Sequence, residues 1–229
     1  MKKIEKRIIL GSASPRRREL LSQIGVDFEV KVSNKEEIYT SDIPEEIVKE
    51  LALMKAENVA SEMEEEKADA AASSGKAGAE AADADGAAGG RLRDTVIIGA
   101  DTIVVLDDKI LGKPADEKDA ARMLRNLQGR CHEVYTGAAM LDYDSRGEKR
   151  TTVHAVGTKV YVNPMTKEEI DSYIATGEPM DKAGAYGIQG RFAAYIDRID
   201  GDYYNVVGLP VSYVYGELAK AEEETELPR

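Results

Sequence analysis

KRIILGSASPRRREL, residues 6–20, compresses a strand, a turn and a helix start into one short run. The apolar residues Ile8, Ile9 and Leu10 read as a short buried strand. Ser14 is placed to cap the following helix, and Pro15 suits its first position. Leu20, Leu21 and Ile24 supply that helix's apolar face, and Gly25 falls at its C′ position. Arg16, Arg17 and Arg18 are the anomaly. The positive end of the helix dipole makes cations there unfavourable by about 0.3–1 kcal/mol each. A multiply charged anion would reverse that judgement, because free N–H groups at a helix start bind anions and guanidinium forks grip phosphate oxygens. Neighbouring helical side chains point about 100° apart, so not all three can be ligands. The bland alternative leaves them solvated or paired with acidic surface.

Outward from this run, VDFEVKVS alternates like a strand. A helix then begins near Pro44, with Ile47, Leu51 and Val59 along one stripe. DTVIIGADTIVVLDDKILGKP carries two apolar runs around Asp101 and a hairpin turn at LDDK. DEKDAARMLRNLQG is amphipathic, with Asp116 as cap, Ala120, Met123, Leu124 and Leu127 inside, and Gly129 as stop. HEVYTGAAMLDY and TTVHAVGTKVYV pair around DSRGEK, which sets His132 and His154 on neighbouring strands as structural residues. Thr166 to Glu169 form a capping box whose helix ends near Gly177. The glycine-rich loop DKAGAYGIQG, the run FAAYI, a turn at Asp200–Gly201 and a last helix after Pro210 complete the chain. Strands and helices mix without a strict βα repeat, which predicts an α/β fold with a mixed sheet.

Residues 62–94 are rich in Ala, Gly, Ser and acids and hold Leu92 as their one Val, Ile or Leu. They read as a flexible surface insertion, with helix allowed near its start. Residues 1–221 are expected to form one domain around it, and 222–229 an acidic tail. The net charge of −12 argues against a nucleic-acid polymer as partner. The balance is uneven: residues 1–20 hold seven bases and two acids, whereas 62–94 hold nine acids and four bases. A basic patch on an acidic protein suits a small anion. The apolar runs are too short to span a bilayer or to serve as a signal peptide. One cysteine, Cys131, excludes a disulfide framework, and a cytoplasmic location is expected.

Asp101 lies where periodicity predicts burial, and a buried carboxylate needs a partner, a metal or a raised pKa. It reads either as a structural Asp bonded to backbone amides or as a general base or metal ligand. Lys55 falls within an apolar stripe, so it either snorkels to the surface or aims at a ligand. Lys113, in the turn GKP, and Glu37, near a strand end, have surface residues as their plain alternatives. Gly184, Gly187 and Gly190 recur every third residue and let backbone approach a ligand closely.

SASPRRREL, ALMKAENV, GADTIV, GKP, VYTG, MDKAGAYGIQG and YYNVVGLP, in that order, resemble the Maf family of nucleoside triphosphate pyrophosphatases. The loop DKAGAYGIQG is similar to the branch acting on dTTP and UTP. The resemblance implies a mixed twisted sheet in two lobes with a central cleft, an inosine triphosphatase-like fold. It implies hydrolysis of a nucleoside triphosphate to monophosphate and pyrophosphate, assisted by Mg²⁺, Mn²⁺ or Co²⁺. Asp101 matches the family's proton acceptor, and Arg16, Thr102 and Gln189 match positions linked to substrate choice. Ser14, Arg17, Glu37, Lys55, Lys113 and Asp181 match positions lining the cleft, with Glu37 and Asp101 as the implied metal ligands. The chain reads NKEE where the family has an acidic run, and Glu37 keeps its last acid. An amide at Gln189 can pair twice with the uracil edge, which offers O4 and N3–H, whereas cytosine reverses that pattern. The expected partners are the nucleotide and at most a second copy of the chain as a homodimer, with no membrane. The alternatives are a different phosphoanhydride hydrolase and a non-catalytic nucleotide-binding regulator of cell division.

Overall fold

The computed structural model describes residues 4–73 and 91–226. β1 (Arg7–Leu10) leads directly to α1 (Pro15–Gln23), as the opening run predicts, and Gly25 closes the helix at φ +66°. β2 (Glu29–Val30) is two residues long. The alternation of VDFEVKVS predicts more strand than this, but Val30 and Val32 both stay exposed, so no packed face extends it.

α2 (Pro44–Ser73) absorbs the start of the expected flexible insertion as continuous helix. Glu, Lys and Ala are strong helix formers, and Met63 gives this stretch a buried anchor. Residues 74–90, the middle of that expected insertion, lie outside the described residues. Leu92, just beyond them, is fully buried.

β3 (Thr95–Leu106) passes straight through Asp101 and turns at Asp107 and Asp108, both at positive φ, into β4 (Lys109–Leu111). α3 (Glu117–Leu127) is capped by Asp116, which accepts the Asp119 amide. β5 (Cys131–Tyr143) and β6 (Lys149–Val162) form the long antiparallel pair read from the sequence. α4 (Lys167–Ile174) starts with the Thr166–Glu169 capping box. Three short 3-10 turns, Glu178–Asp181, Ala183–Ala185 and Arg191–Tyr195, then lead to β7 (Ile196–Asp200). FAAYI is thus mostly a turn, and the strand starts at its final isoleucine. α5 (Tyr203–Val207) and α6 (Val211–Glu226) end the described chain.

α6 runs past the boundary drawn at residue 222. Glu222 is buried because its carboxylate accepts the backbone N–H groups of Glu5 and Lys6, each at 2.8 Å. Residues 227–229 of the expected tail lie outside the described residues. Among the described residues no helix is long and apolar enough to cross a membrane.

Among the described residues seven strands make one mixed sheet in the order β2-β1-β3-β5-β6-β7, with β4 paired to β3. β1 runs parallel to β3, and β5 antiparallel to it. α2 packs against one face, over Ile97, Ile103 and Val105. The main core, with Leu10, Leu20, Ile98, Leu124, Phe192 and Leu218, fills the other. Two glycines let α2 lie close. A Cβ on Gly99 would meet the Ala52 carbonyl oxygen at 2.1 Å, and one on Gly137 would meet that of Val48 at 2.0 Å.

This pairing leaves an opening. β1 pairs with β3 only as far as Ile98, and β4 takes up the same edge only from Val104. Asp101 and Thr102 lie in the interval, just beyond the carboxyl end of β1, where open α/β sheets place their ligands.

Candidate functional site

That interval opens into a cavity of about 690 Å³. Ser14, Arg16, Arg17, Glu37, Lys55, Asp101, Thr102, Lys113, Asp181 and Gln189, singled out from the sequence, all line it. They arrive from separate elements. α1 brings the arginines, α2 the lysine, the middle of β3 Asp101 and Thr102, and the glycine-rich loop Gln189.

Strand alternation divides the two β3 residues. Asp101 shares the α2 face with Gly99 and Ile103. Lys55, in the apolar stripe of α2, does not snorkel: its Nζ meets Asp101 Oδ1 at 2.5 Å and Glu37 Oε2 at 3.1 Å. Asp101 is therefore the ion-paired carboxylate that its burial demands, and its Oδ2 carries no hydrogen bond among the described residues. Glu37 and Asp101 are the two carboxylates that could hold a metal, since both already address one cationic centre. Among the described residues no group of three or more metal-ligating side chains exists. Two carboxylates are nonetheless a sufficient protein share for Mg²⁺, which takes its other oxygens from water and substrate phosphates.

Thr102 points to the opposite face. Its Oγ1 accepts from Arg17 at 3.0 Å and bonds Thr136 Oγ1 at 2.9 Å, and Thr136 in turn donates to the Asn205 carbonyl. The three arginines thus have three fates. Arg18 is exposed and folds back on the Ala13 carbonyl. Arg17 is buried and spends its donors on three neutral acceptors: the Gly208 carbonyl, Ser12 Oγ and Thr102 Oγ1. Burial lowers its pKa, and the charge of Asp101 offsets part of that. Such a cation is pre-oriented and free to serve an anion in the cavity. Arg16 spans towards Asp181 at 3.5 Å. Burial works to raise the Asp181 carboxyl, but the Lys182 hydrogen bond and the charges of Lys182 and Arg16 prevail and hold it below the usual range.

Ser14 stands at the N-cap, yet its side chain makes no capping hydrogen bond. The first turn of α1, which lines the cavity, is therefore not closed by its own cap. Among the described residues six cationic side chains line the cavity, Lys35 and Lys182 joining Arg16, Arg17, Lys55 and Lys113, against the carboxylates Glu37, Asp101, Glu178 and Asp181. The net −12 chain thus turns a positive interior towards a ligand.

Sequence reasoning missed Lys182, Glu178 and Asn58, all cavity-lining. Asn58 sits three residues beyond Lys55 on the same helix, which is a legible signal. Lys182 and Glu178 offered none, because the 3-10 turns that aim them have no periodicity. The histidines stand on β5 and β6 as expected. His154 stacks on Tyr213. His132 Nε2 bonds Tyr186 Oη at 2.7 Å, and burial lowers its pKa to about 4.

A family model described as Maf-like protein matches residues 7–221. A dTTP/UTP pyrophosphatase of Lachnoclostridium phytofermentans is 45% identical over 213 residues, which covers 93% of this chain and 94% of its own. Another, from Agathobacter rectalis, is 47% identical over 216 residues, covering 93% and 96%. Among solved structures, a nucleoside-triphosphatase / dITP/XTP pyrophosphatase from Mycobacterium abscessus aligns with 68% of this chain and 72% of its own. Its identity of 12% and TM-score of 0.32 carry no argument.

Proposed function

The chain belongs to the Maf-like protein family, and from that premise we propose that its cleft hydrolyses dTTP and UTP to the nucleoside monophosphate and pyrophosphate. The single observation that supports this most is the convergence of Asp101, Lys55, Arg16, Arg17 and Lys113 on one cavity. The cations neutralise a chain of phosphates, and the sequestered carboxylate supplies a base.

Arg17, already oriented by three acceptors, binds phosphate oxygens with little rearrangement. Arg16, Lys113 and the first turn of α1 add further charge. Lys55 fixes one oxygen of Asp101, and the other orients a water molecule and accepts its proton. The water oxygen attacks the α-phosphorus. The bond from that phosphorus to the oxygen bridging towards the β-phosphorus breaks, and pyrophosphate leaves with the electron pair. Most of the acceleration is positioning and charge stabilisation. A divalent cation (Mg²⁺, Mn²⁺ or Co²⁺) held by Glu37 and Asp101 would add Lewis-acid charge at the phosphate oxygens.

Gln189, exposed on the cavity rim, reads the base. In one orientation its amide matches O4 and N3–H of uracil or thymine, and holding that orientation is what excludes cytosine, whose edge is matched only by the amide turned through 180°. The 5-methyl of thymine changes the energy by only about 1–3 kcal/mol in an apolar pocket, so UTP and dTTP are both accepted. The test is pyrophosphate release from the eight common nucleotides with each of the three metals. UTP and dTTP are expected to exceed CTP at least about tenfold in kcat/KM. Equal rates on CTP and UTP would refute the role of Gln189, and no pyrophosphate from any nucleotide would refute the activity.

A further inference from the structure

We propose that Glu178 is the positioning residue for the loop that carries Gln189, and so sets the choice between uracil and cytosine. The inference rests on the base-reading role given to Gln189.

Glu178 opens the first 3-10 turn after α4 and lies part-buried in the cavity wall. A carboxylate at that place could bind a ligand cation or hold protein. Its contacts decide for the second. Oε2 accepts the backbone N–H of Arg191 at 3.1 Å. Oε1 accepts the hydroxyl of Tyr173 at 2.9 Å, and that hydroxyl oxygen accepts the backbone N–H of Gly187 at 3.3 Å. One carboxylate therefore holds both ends of the segment 187–191, directly at one end and through Tyr173 at the other. Gln189 is the middle of that segment.

The glycines complete the arrangement. A Cβ on Gly190 would fall 2.0 Å from Glu178 Oε1 and 2.4 Å from its Cδ. A Cβ on Gly187 would fall 2.7 Å from Lys182 Cε. The loop wraps the carboxylate so closely that a side chain at Gly190 would push it from its place. Lys182 Nζ donates to the Glu178 backbone carbonyl at 2.6 Å, which ties the turn itself in place. Tyr173 is buried in the main core, its ring 5.2 Å from that of Phe192, so the anchor behind Glu178 is packed in place. Burial, then the hydrogen bond to Glu178, raises the Tyr173 pKa far above its ordinary value, so the hydroxyl remains a donor.

A misplaced Gln189 loses the register of its two hydrogen bonds to the base, whereas Arg17, Lys55 and Lys113 take their positions from other elements. The signature is a change in discrimination, not in turnover alone. The measurement is kcat/KM for UTP and for CTP in wild type, Glu178→Ala, Glu178→Gln, Tyr173→Phe and Gln189→Ala. Glu178→Ala is expected to narrow the UTP-to-CTP ratio about tenfold or more, since displacement of a positioning contact by about 1 Å has effects up to about 10²-fold. Tyr173→Phe, which removes one hydroxyl from a packed ring, narrows it about threefold. Glu178→Gln falls between wild type and Glu178→Ala, because its amide oxygen can accept one of the two donors. The last two variants keep the bulk of the wall and carry the test if Glu178→Ala does not fold.

A purely structural role would lower both substrates by the same factor and leave the ratio unchanged. That result in the Glu178 and Tyr173 variants, with the ratio lost in Gln189→Ala, overturns this proposal alone. A ratio unaffected by Gln189→Ala overturns the base-reading role and this proposal with it.

Discussion

Asp101→Asn is expected to lower kcat for UTP about 10³-fold, within the ~10²–10⁴ that a positioned general base contributes. The substitution is isosteric. The amide oxygen can still accept from Lys55 Nζ, so the contact between α2 and β3 survives. What is lost is the capacity to take a proton from water, together with one of the two carboxylates facing Lys55. In the proposed mechanism nucleotide affinity rests on Arg16, Arg17 and Lys113 and should change little. Steady-state kinetics, titration calorimetry with UTP and a thermal melt separate these effects. A fall in kcat of less than about tenfold would remove Asp101 from the role of base.

Gly137→Ala should destabilise the fold by about 3 kcal/mol, at the upper end of what overpacking costs. The new methyl would lie 2.0 Å from the Val48 carbonyl oxygen and 2.4 Å from its carbon. Both atoms are helix backbone, which cannot yield as a side-chain end could. α2 must lift off β5, and Lys55 lifts with it. Activity should therefore fall together with stability. Gly216→Ala in α6 is the control, because a Cβ there meets nothing within 4 Å and alanine favours helix by about 1 kcal/mol. Urea unfolding measures both. A Gly137→Ala midpoint equal to wild type would show that the helix does not rest on that glycine.

Much of this was legible in the chain because local rules and tertiary structure agree. Ser14–Pro15, Asp116 and Thr166–Glu169 mark helix starts by chemistry that acts within one turn. The stripe Ile47–Leu51–Lys55–Val59 placed a lysine on an apolar face, and the structure supplies the reason in Asp101. Misreadings came where distant partners decide. Glu222 reads as tail until the amides of Glu5 and Lys6 are known. VDFEVKVS alternates correctly, but no layer covers Val30 and Val32, so the pattern has no face to bury. The start of the acidic insertion, where the sequence allows helix, is helical through Ser73, in keeping with its Glu and Ala content. Glu178 was invisible for a different reason. Its partners, at Tyr173, Gly187 and Arg191, are reached through 3-10 turns with no periodic signature.

Incubation of the enzyme with UTP in ¹⁸O-labelled water, followed by mass analysis of the products, tests the central claim most directly. Attack on the α-phosphorus puts the heavy oxygen in the monophosphate and leaves the pyrophosphate unlabelled. Label in the pyrophosphate, or the appearance of a nucleoside diphosphate with inorganic phosphate, would contradict it.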